Sequence, residues 1–145
     1  VHTDIRAVII SEDFVSSAVL ARTLKEWWCA DVSCDTYASV DAALKASDLD
    51  CADVVFISEL ADEMALYDAV REIHARAAGP MCVVVTSRRR ESALAAALRA
   101  GAHDCINRYV ASEDDIHRCL WGILRERAAA HLRLLTPAAR AAATA

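Results

Sequence analysis

Five short apolar runs punctuate the chain, and a segment with helical spacing follows each one. Ile5-Arg6-Ala7-Val8-Ile9-Ile10, Asp53-Val54-Val55-Phe56-Ile57-Ser58 and Met81 to Thr86 read as strands buried on both faces. Val32 to Tyr37 alternates and suits a half-buried strand at a sheet edge. His103 to Ile106 makes a short last strand. Between them, Phe14 to Trp28 carries apolar residues at Val15, Val19, Leu20, Leu24, Trp27 and Trp28, a helical stripe. Ser39 can cap a helix over Val40 to Ala46, because its hydroxyl can accept from a free first-turn amide. Asp62 to Ala77 places Leu66, Ala69, Val70 and Ile73 on one face. Gly79-Pro80 stops that helix, and Gly101 ends an Ala-rich helix over Glu91 to Ala100. Ser112-Glu113-Asp114-Asp115 starts the last helix with a hydroxyl cap and acids near the positive end of the dipole.

Strand and helix thus alternate five times within about 125 residues. Continuous apolar strands between amphipathic helices imply a parallel sheet covered on both sides. The expected fold is α/β: a flavodoxin-like, doubly wound, five-stranded parallel sheet of (βα)5 type. With 56% hydrophobic residues the chain has ample material for a core and is not a disordered chain. Only 3 glycines and 2 prolines exclude turn-rich all-β and collagen-like classes. The net charge of −5 disfavours a generic nucleic-acid binder. No apolar run approaches the ~20 residues of a membrane span, and no basic-then-apolar leader opens the sequence. A cytoplasmic protein is expected, and Val1 at the start suggests a piece of a longer one. Cys29, Cys34, Cys51, Cys82, Cys105 and Cys119 show no CxxC spacing and read as buried thiols in a reducing compartment.

In such a fold the functional crevice lies at the carboxyl ends of the strands. Strand one ends in Glu12-Asp13, strand three in Ser58-Glu59, strand four in Thr86-Ser87 and strand five in Asn107-Arg108. An acidic pair, a hydroxyl and a cation converge there, and two adjacent carboxylates can hold a hard divalent cation such as Mg²⁺.

In these residues, in this order, the chain resembles a response-regulator receiver domain from about Ile5 to about Leu124. Glu12 and Asp13 match the family's acidic pair and Thr86 its hydroxyl after strand four. Gly101-Ala102-His103-Asp104-Cys105 approaches its Gly-Ala-x-Asp-aromatic pattern. The resemblance implies a bacterial two-component signalling domain in a phosphorelay. The departures from the family pattern matter more for function. The family has an aspartate acceptor after an Asp and four apolar residues; here Asp53-Val54-Val55-Phe56-Ile57 leads to Ser58. A serine hydroxyl is a poor nucleophile without an activating base, and its neutral side chain weakens a metal site. Arg108 stands for the family's lysine with a wider, planar head, and Tyr109 for the following proline. Cys105 occupies the aromatic switch position. The degenerate pocket is therefore Glu12, Asp13, Ser58, Thr86 and Arg108. The expected cofactor is none, with Glu12 and Asp13 a weak Mg²⁺ site at most. Arg108 can pair with Glu12 or Asp13 and close the pocket without metal. A one-residue slip of strand three would instead present Glu59.

Arg88-Arg89-Arg90 concentrates positive charge after strand four, at the unfavourable end of a helix dipole. It reads as a solvated loop or as a site for an anion or an acidic partner. The last helix keeps its stripe through Ile116, Leu120, Ile123, Leu124, Ala128, His131, Leu132 and Leu135, longer than a receiver needs. Residues 1–125 are thus expected to form the receiver-like domain. Residues 126–145 extend the helix into an Ala-rich tail, a linker to an output domain or a dimerisation segment.

The function expected is an atypical, pseudo-receiver signalling domain without aspartyl phosphorylation. It would act by protein–protein interaction or intramolecular regulation, on a protein partner or a linked output or kinase domain. The resemblance places that contact on the helix-four, strand-five, helix-five face, with a homodimer as one form of it. Two alternatives are a pseudo-receiver sensing an anionic ligand such as a cyclic dinucleotide through its arginines, and the N-terminal regulatory domain of a DNA-binding response regulator. Nucleic acid would be met only through such an output domain, and no membrane is expected. An enzyme is not expected: no Gly-rich phosphate loop follows strand one, and no His follows a strand end near Ser58.

Overall fold

The computed structural model describes residues 4–27, 30–46, 49–58, 63–76, 79–87, 90–107 and 113–134. Five parallel strands, β1 (Ile5–Ile10), β2 (Val32–Tyr37), β3 (Val54–Ser58), β4 (Met81–Thr86) and β5 (Asp104–Asn107), pair in the order β2-β1-β3-β4-β5. The helices are α1 (Phe14–Lys25), α2 (Val40–Lys45), α3 (Glu63–Arg76), α4 (Arg90–Ala100) and α5 (Glu113–Leu134). A single 3-10 turn, Leu49–Cys51, leads into β3 and is not visible in the apolar pattern. This is the doubly wound, flavodoxin-like sheet expected from the alternation of elements, with the extended last helix. The order reverses between β1 and β3, so the chain winds first to one side and then to the other.

Side chains alternate along each strand and divide the core in two. Val8, Ile10, Val55, Ile57, Cys82, Val84 and Cys105 pack against α2, α3 and α4 through Ala43, Leu66, Val70, Ile73, Ala93 and Ala97. Ile5, Ala7, Ile9, Val54, Phe56, Val83 and Ile106 pack on the other side against Leu24, Cys119, Leu120 and Ile123 of α1 and α5. β3 is buried at every position, and β2 alternates between half-buried and exposed residues, as an edge strand does.

Two expectations change. α1 turns Ser17, Leu20, Ala21 and Leu24 towards the sheet, and Val15 and Val19 point to solvent. The apolar residues of α1 span more than one face, so spacing alone counted Val15 and Val19 into the stripe. Cys51 is exposed in the 3-10 turn, whereas Cys82, Cys105 and Cys119 are buried and Cys34 is half-buried. Burial pushes the Cys82 thiol up to about 12. Burial and then the nearby charge of Asp104 do the same for Cys119, up to about 12. Both stay protonated and behave as small apolar side chains.

The amino-terminal edge of the sheet is held by Asp53, just before β3. Its Oδ2 accepts the Arg6 amide at 2.8 Å and stands 2.5 Å from the Arg127 guanidinium on α5. Arg127 also donates to the Asp4 carbonyl at 2.8 Å. One arginine thereby ties α5 to β1 and β3. Arg127→Met is expected to lower stability by about 1–2 kcal/mol, because charge-assisted hydrogen bonds of a half-buried pair are lost. In urea denaturation the combination with Asp53→Asn should cost less than the two single losses added together, the sign of a shared interaction.

At the same edge His103 replaces a backbone partner. The Cys82 amide donates to His103 Nδ1 at 3.0 Å, and the His103 amide donates to the Cys82 carbonyl at 2.7 Å. Gly101 makes the preceding turn at φ +109°, and a Cβ there would come within 3.0 Å of the His74 ring. Burial, and then neighbouring His74, hold His103 below its ordinary value, with Glu126 opposing. The unfolded chain therefore binds the proton more tightly. This contribution to stability is complete above the ordinary histidine value of about 6.5 and is lost as pH falls through the lower folded-state value. Stability measured in urea should decline from pH 7 towards pH 5, and His103→Asn should flatten that slope.

Candidate functional site

The carboxyl ends of the central strands bring together the residues singled out by spacing. Ile10 pairs in register with Ile57, so Ser11 and Ser58 stand at the same level on adjacent strands. Ser58 pairs with Val85 and Thr86 with Asn107. Ser58 and Thr86 are both buried, and Glu12 is exposed. Ser11, Glu12, Asp13, Ser58, Thr86 and Asn107 thus line the ends of β1, β3, β4 and β5. Arg108 lies outside the described residues, as do Glu59, Tyr109, Arg88 and Arg89. Arg90 is the first residue of α4. The arginine-based ligand reading gains no observation from the described residues.

Asp13 has a structural task that its place in an acidic pair does not reveal. It is the N-cap of α1, with φ −97° and ψ 106°. Its Oδ1 accepts the Val15 amide at 3.0 Å and its Oδ2 accepts the Ser16 hydroxyl. Ser11 closes the turn from the other side: its hydroxyl accepts the Asp13 amide at 3.1 Å and donates to the Asp13 carbonyl at 3.2 Å. The cap satisfies an amide that the helix itself leaves open and sets a negative charge at the positive end of its dipole. Ser11, Asp13 and Ser16 form this cap together. Asp13-Phe14-Val15-Ser16 carries the spacing of a cap and its third helical residue, which was the available sequence signal.

A hard divalent cation such as Mg²⁺ takes several oxygen ligands, ideally six, and one or two carboxylates from the protein. The described donors here are the exposed Glu12 carboxylate, an Asp13 carboxylate already engaged by α1, and the neutral Ser58 hydroxyl. Among the described residues no group of three His, Cys, Asp or Glu stands together. Among the described residues this donor set therefore offers two carboxylates and one neutral hydroxyl.

Cys105 is buried in β5 and packs into the core on the α3–α4 side. A thiol in that position has neither the size nor the polar tip of an aromatic side chain that turns between core and solvent.

The architecture can be set beside known proteins. No protein-family model matches the chain, and no curated protein matches it. Solved structures do. A Burkholderia pseudomallei protein described as pilus assembly-related is similar at a TM-score of 0.70 and 23% identity, over 82% of this chain and 88% of that one. A response regulator receiver protein from Pseudoalteromonas atlantica is similar at a TM-score of 0.71 and 18% identity, over 84% and 98%. A LuxR family DNA-binding response regulator from Silicibacter pomeroyi is similar at a TM-score of 0.67 and 16% identity, over 84% and 93%. The fold is that of a response-regulator receiver domain. Identities this low establish the fold, and the site's chemistry rests on this chain's own residues. Among the described residues no helix is long and apolar enough to cross a membrane.

Asp13→Ala removes the α1 cap and leaves the sheet unchanged. It is expected to cost about 1 kcal/mol in urea denaturation. Asp13→Asn, which retains an acceptor, should recover most of that loss.

Proposed function

We propose that the chain is a receiver-type signalling domain that works without aspartyl phosphorylation. It acts by protein–protein contact or by regulating a linked domain. The observation that carries this reading is Ser58. It is buried at the carboxyl end of β3, where the resembled family has its phosphoryl acceptor. Acyl phosphate formation there needs a carboxylate oxygen as nucleophile, and a serine hydroxyl is a weak substitute unless a base activates it. The commitment of Asp13 to α1 supports the same reading, since it weakens the cation site on which phosphoryl transfer depends. Buried Cys105 supports it from the output side, because the residue at the aromatic switch position has become part of the core.

In this reading the pocket is a packed polar plug, and the information lies on the helical surfaces. The helix-four, strand-five, helix-five face is the first such surface by resemblance. Proteins of similar fold include a DNA-binding response regulator and a pilus assembly-related protein. Their range supports an output that resides in a partner or a linked domain. It also supports a signalling role over a catalytic one.

The test is incubation with Mg²⁺ and acetyl phosphate followed by intact mass measurement. The expected result is an unchanged mass. A labile gain of one phosphoryl group would overturn the reading, and mapping it to Glu59 or Asp13 would identify an unconventional acceptor.

A further inference from the structure

The turn between α4 and β5 is built around the ring of His103. α4 ends in a sealed cap: the Gly101 amide donates to the Leu98 carbonyl at 3.1 Å, and the Ala102 amide donates to the Ala97 carbonyl at 2.9 Å. β5 begins one residue after His103. The Cys82 amide of β4 donates to His103 Nδ1 at 3.0 Å. An imidazole nitrogen accepts only when it carries no proton, so this bond requires a neutral ring with its proton on Nε2. Protonation turns Nδ1 into a donor, and the Cys82 amide then loses its partner.

Three other elements meet at this ring. β4 presents the Cys82 amide. α3 presents His74, whose ring lies against Gly101, 3.0 Å from where a Cβ would stand. α5 presents Glu126, which is exposed and reaches Arg133 only at 4.0 Å. Burial disfavours a charged His103 most, His74 adds to that, and Glu126 favours the charge. Among the described residues His74 and Glu126 are the charged or titratable groups that act on the imidazole. The other groups nearby are committed elsewhere. The Cys82 thiol stays protonated, Asp104 accepts the Cys105 amide at 2.7 Å, and Arg127 is held by Asp53 and the Asp4 carbonyl.

The ring therefore has two arrangements with different partners. Neutral, it accepts from Cys82 and closes the start of β5 onto β4. Charged, it has two N–H donors and no acceptor, and the carboxylate that favours this form is Glu126 on α5. β5 is a strand of only 4 residues at the edge of the sheet, so its first contact is a large part of its anchorage. Its last residue, Asn107, pairs with Thr86 at the carboxyl ends of the strands. A change at His103 thus reaches the crevice through one short strand.

We propose that His103 is a proton-operated switch built into the fold. The neutral ring seals β5 to β4. The charged ring releases Cys82 and turns to Glu126, so mild acid loosens the start of β5 while the interior of the sheet stays closed. This is a local change of conformation, distinct from the decline of global stability described with the fold. It uses no residue of the degenerate pocket, so the mass measurement described above tests the phosphorylation reading separately.

The experiment is nuclear magnetic resonance on the whole chain from about pH 8 to about pH 5, reading the His103 ring nitrogens and the exchange protection of backbone amides. The expected result at the upper end is a neutral ring with its proton on Nε2. As the ring charges, protection of the Cys82 amide should fall about tenfold, and that of Val55 in β3 should hold. Glu126→Gln should move the midpoint to lower pH, because it removes the charge that favours the protonated ring. His74→Gln should move it to higher pH. His103→Asn, which keeps a neutral acceptor, should remove the step in Cys82 protection. A ring with its proton on Nδ1, a ring that stays neutral down to about pH 5, or Cys82 protection indifferent to the ring's charge would each overturn the proposal. Loss of protection at Val55 together with Cys82 would overturn it as well, since that is unfolding of the whole domain.

Discussion

A parallel sheet buried on both faces can place its polar chemistry only where the strands end. Every peptide group of β3 must find its partner in β1 and β4, and every side chain of β3 is buried. The helices that cover the two faces return the chain to the same edge each time. The loops after β1, β3, β4 and β5 are therefore brought to one crevice by backbone pairing, whatever residues they carry. This constraint fixes the place of a site independently of the chemistry it carries. Ser11, Glu12, Asp13, Ser58 and Thr86 meet there because the register sets them there.

Within that crevice each residue answers first to local demands. α1 needs an acceptor for its open amides, and Asp13 supplies it, with Ser11 and Ser16 closing the turn. A carboxylate held this way is worth about 1 kcal/mol to the fold. Ser58 fills its buried place with a small neutral group and adds no third charge beside two acids. A neutral hydroxyl carries less of the charge density that phosphoryl transfer uses than a carboxylate would. Outside the crevice, α1 and the long α5 expose large apolar side chains at Phe14, Val15, Val19, Trp121 and Leu134.

Much of this was legible from residues alone. The strands were, because runs such as Val54-Val55-Phe56-Ile57 are too short and too apolar to serve as anything but buried strands between polar breaks. β2 was readable as an edge from its alternation, and Ser39 as a cap, its hydroxyl accepting the Ala42 amide at 3.1 Å. The site positions followed from the strand ends. The missing parts have physical reasons. Val15 and Val19 looked like core because spacing cannot say which of two apolar helix faces meets the sheet. The Asp53–Arg127 tie joins residues far apart in sequence, and no local pattern announces it. Asp13 reads equally as a metal ligand or a cap until its oxygens are seen to hold Val15 and Ser16. The position of Arg108 relative to the acids lies outside the described residues.

The central claim is that the pocket no longer converts a phosphoryl group into a change of surface. The most direct measurement is the amide spectrum of the chain titrated with Mg²⁺ and beryllofluoride, a stable mimic of a phosphorylated carboxylate. The account predicts an unchanged spectrum. Saturable shifts at Glu12, Ser58 and Thr86 that spread along α4 would contradict it and show a working switch.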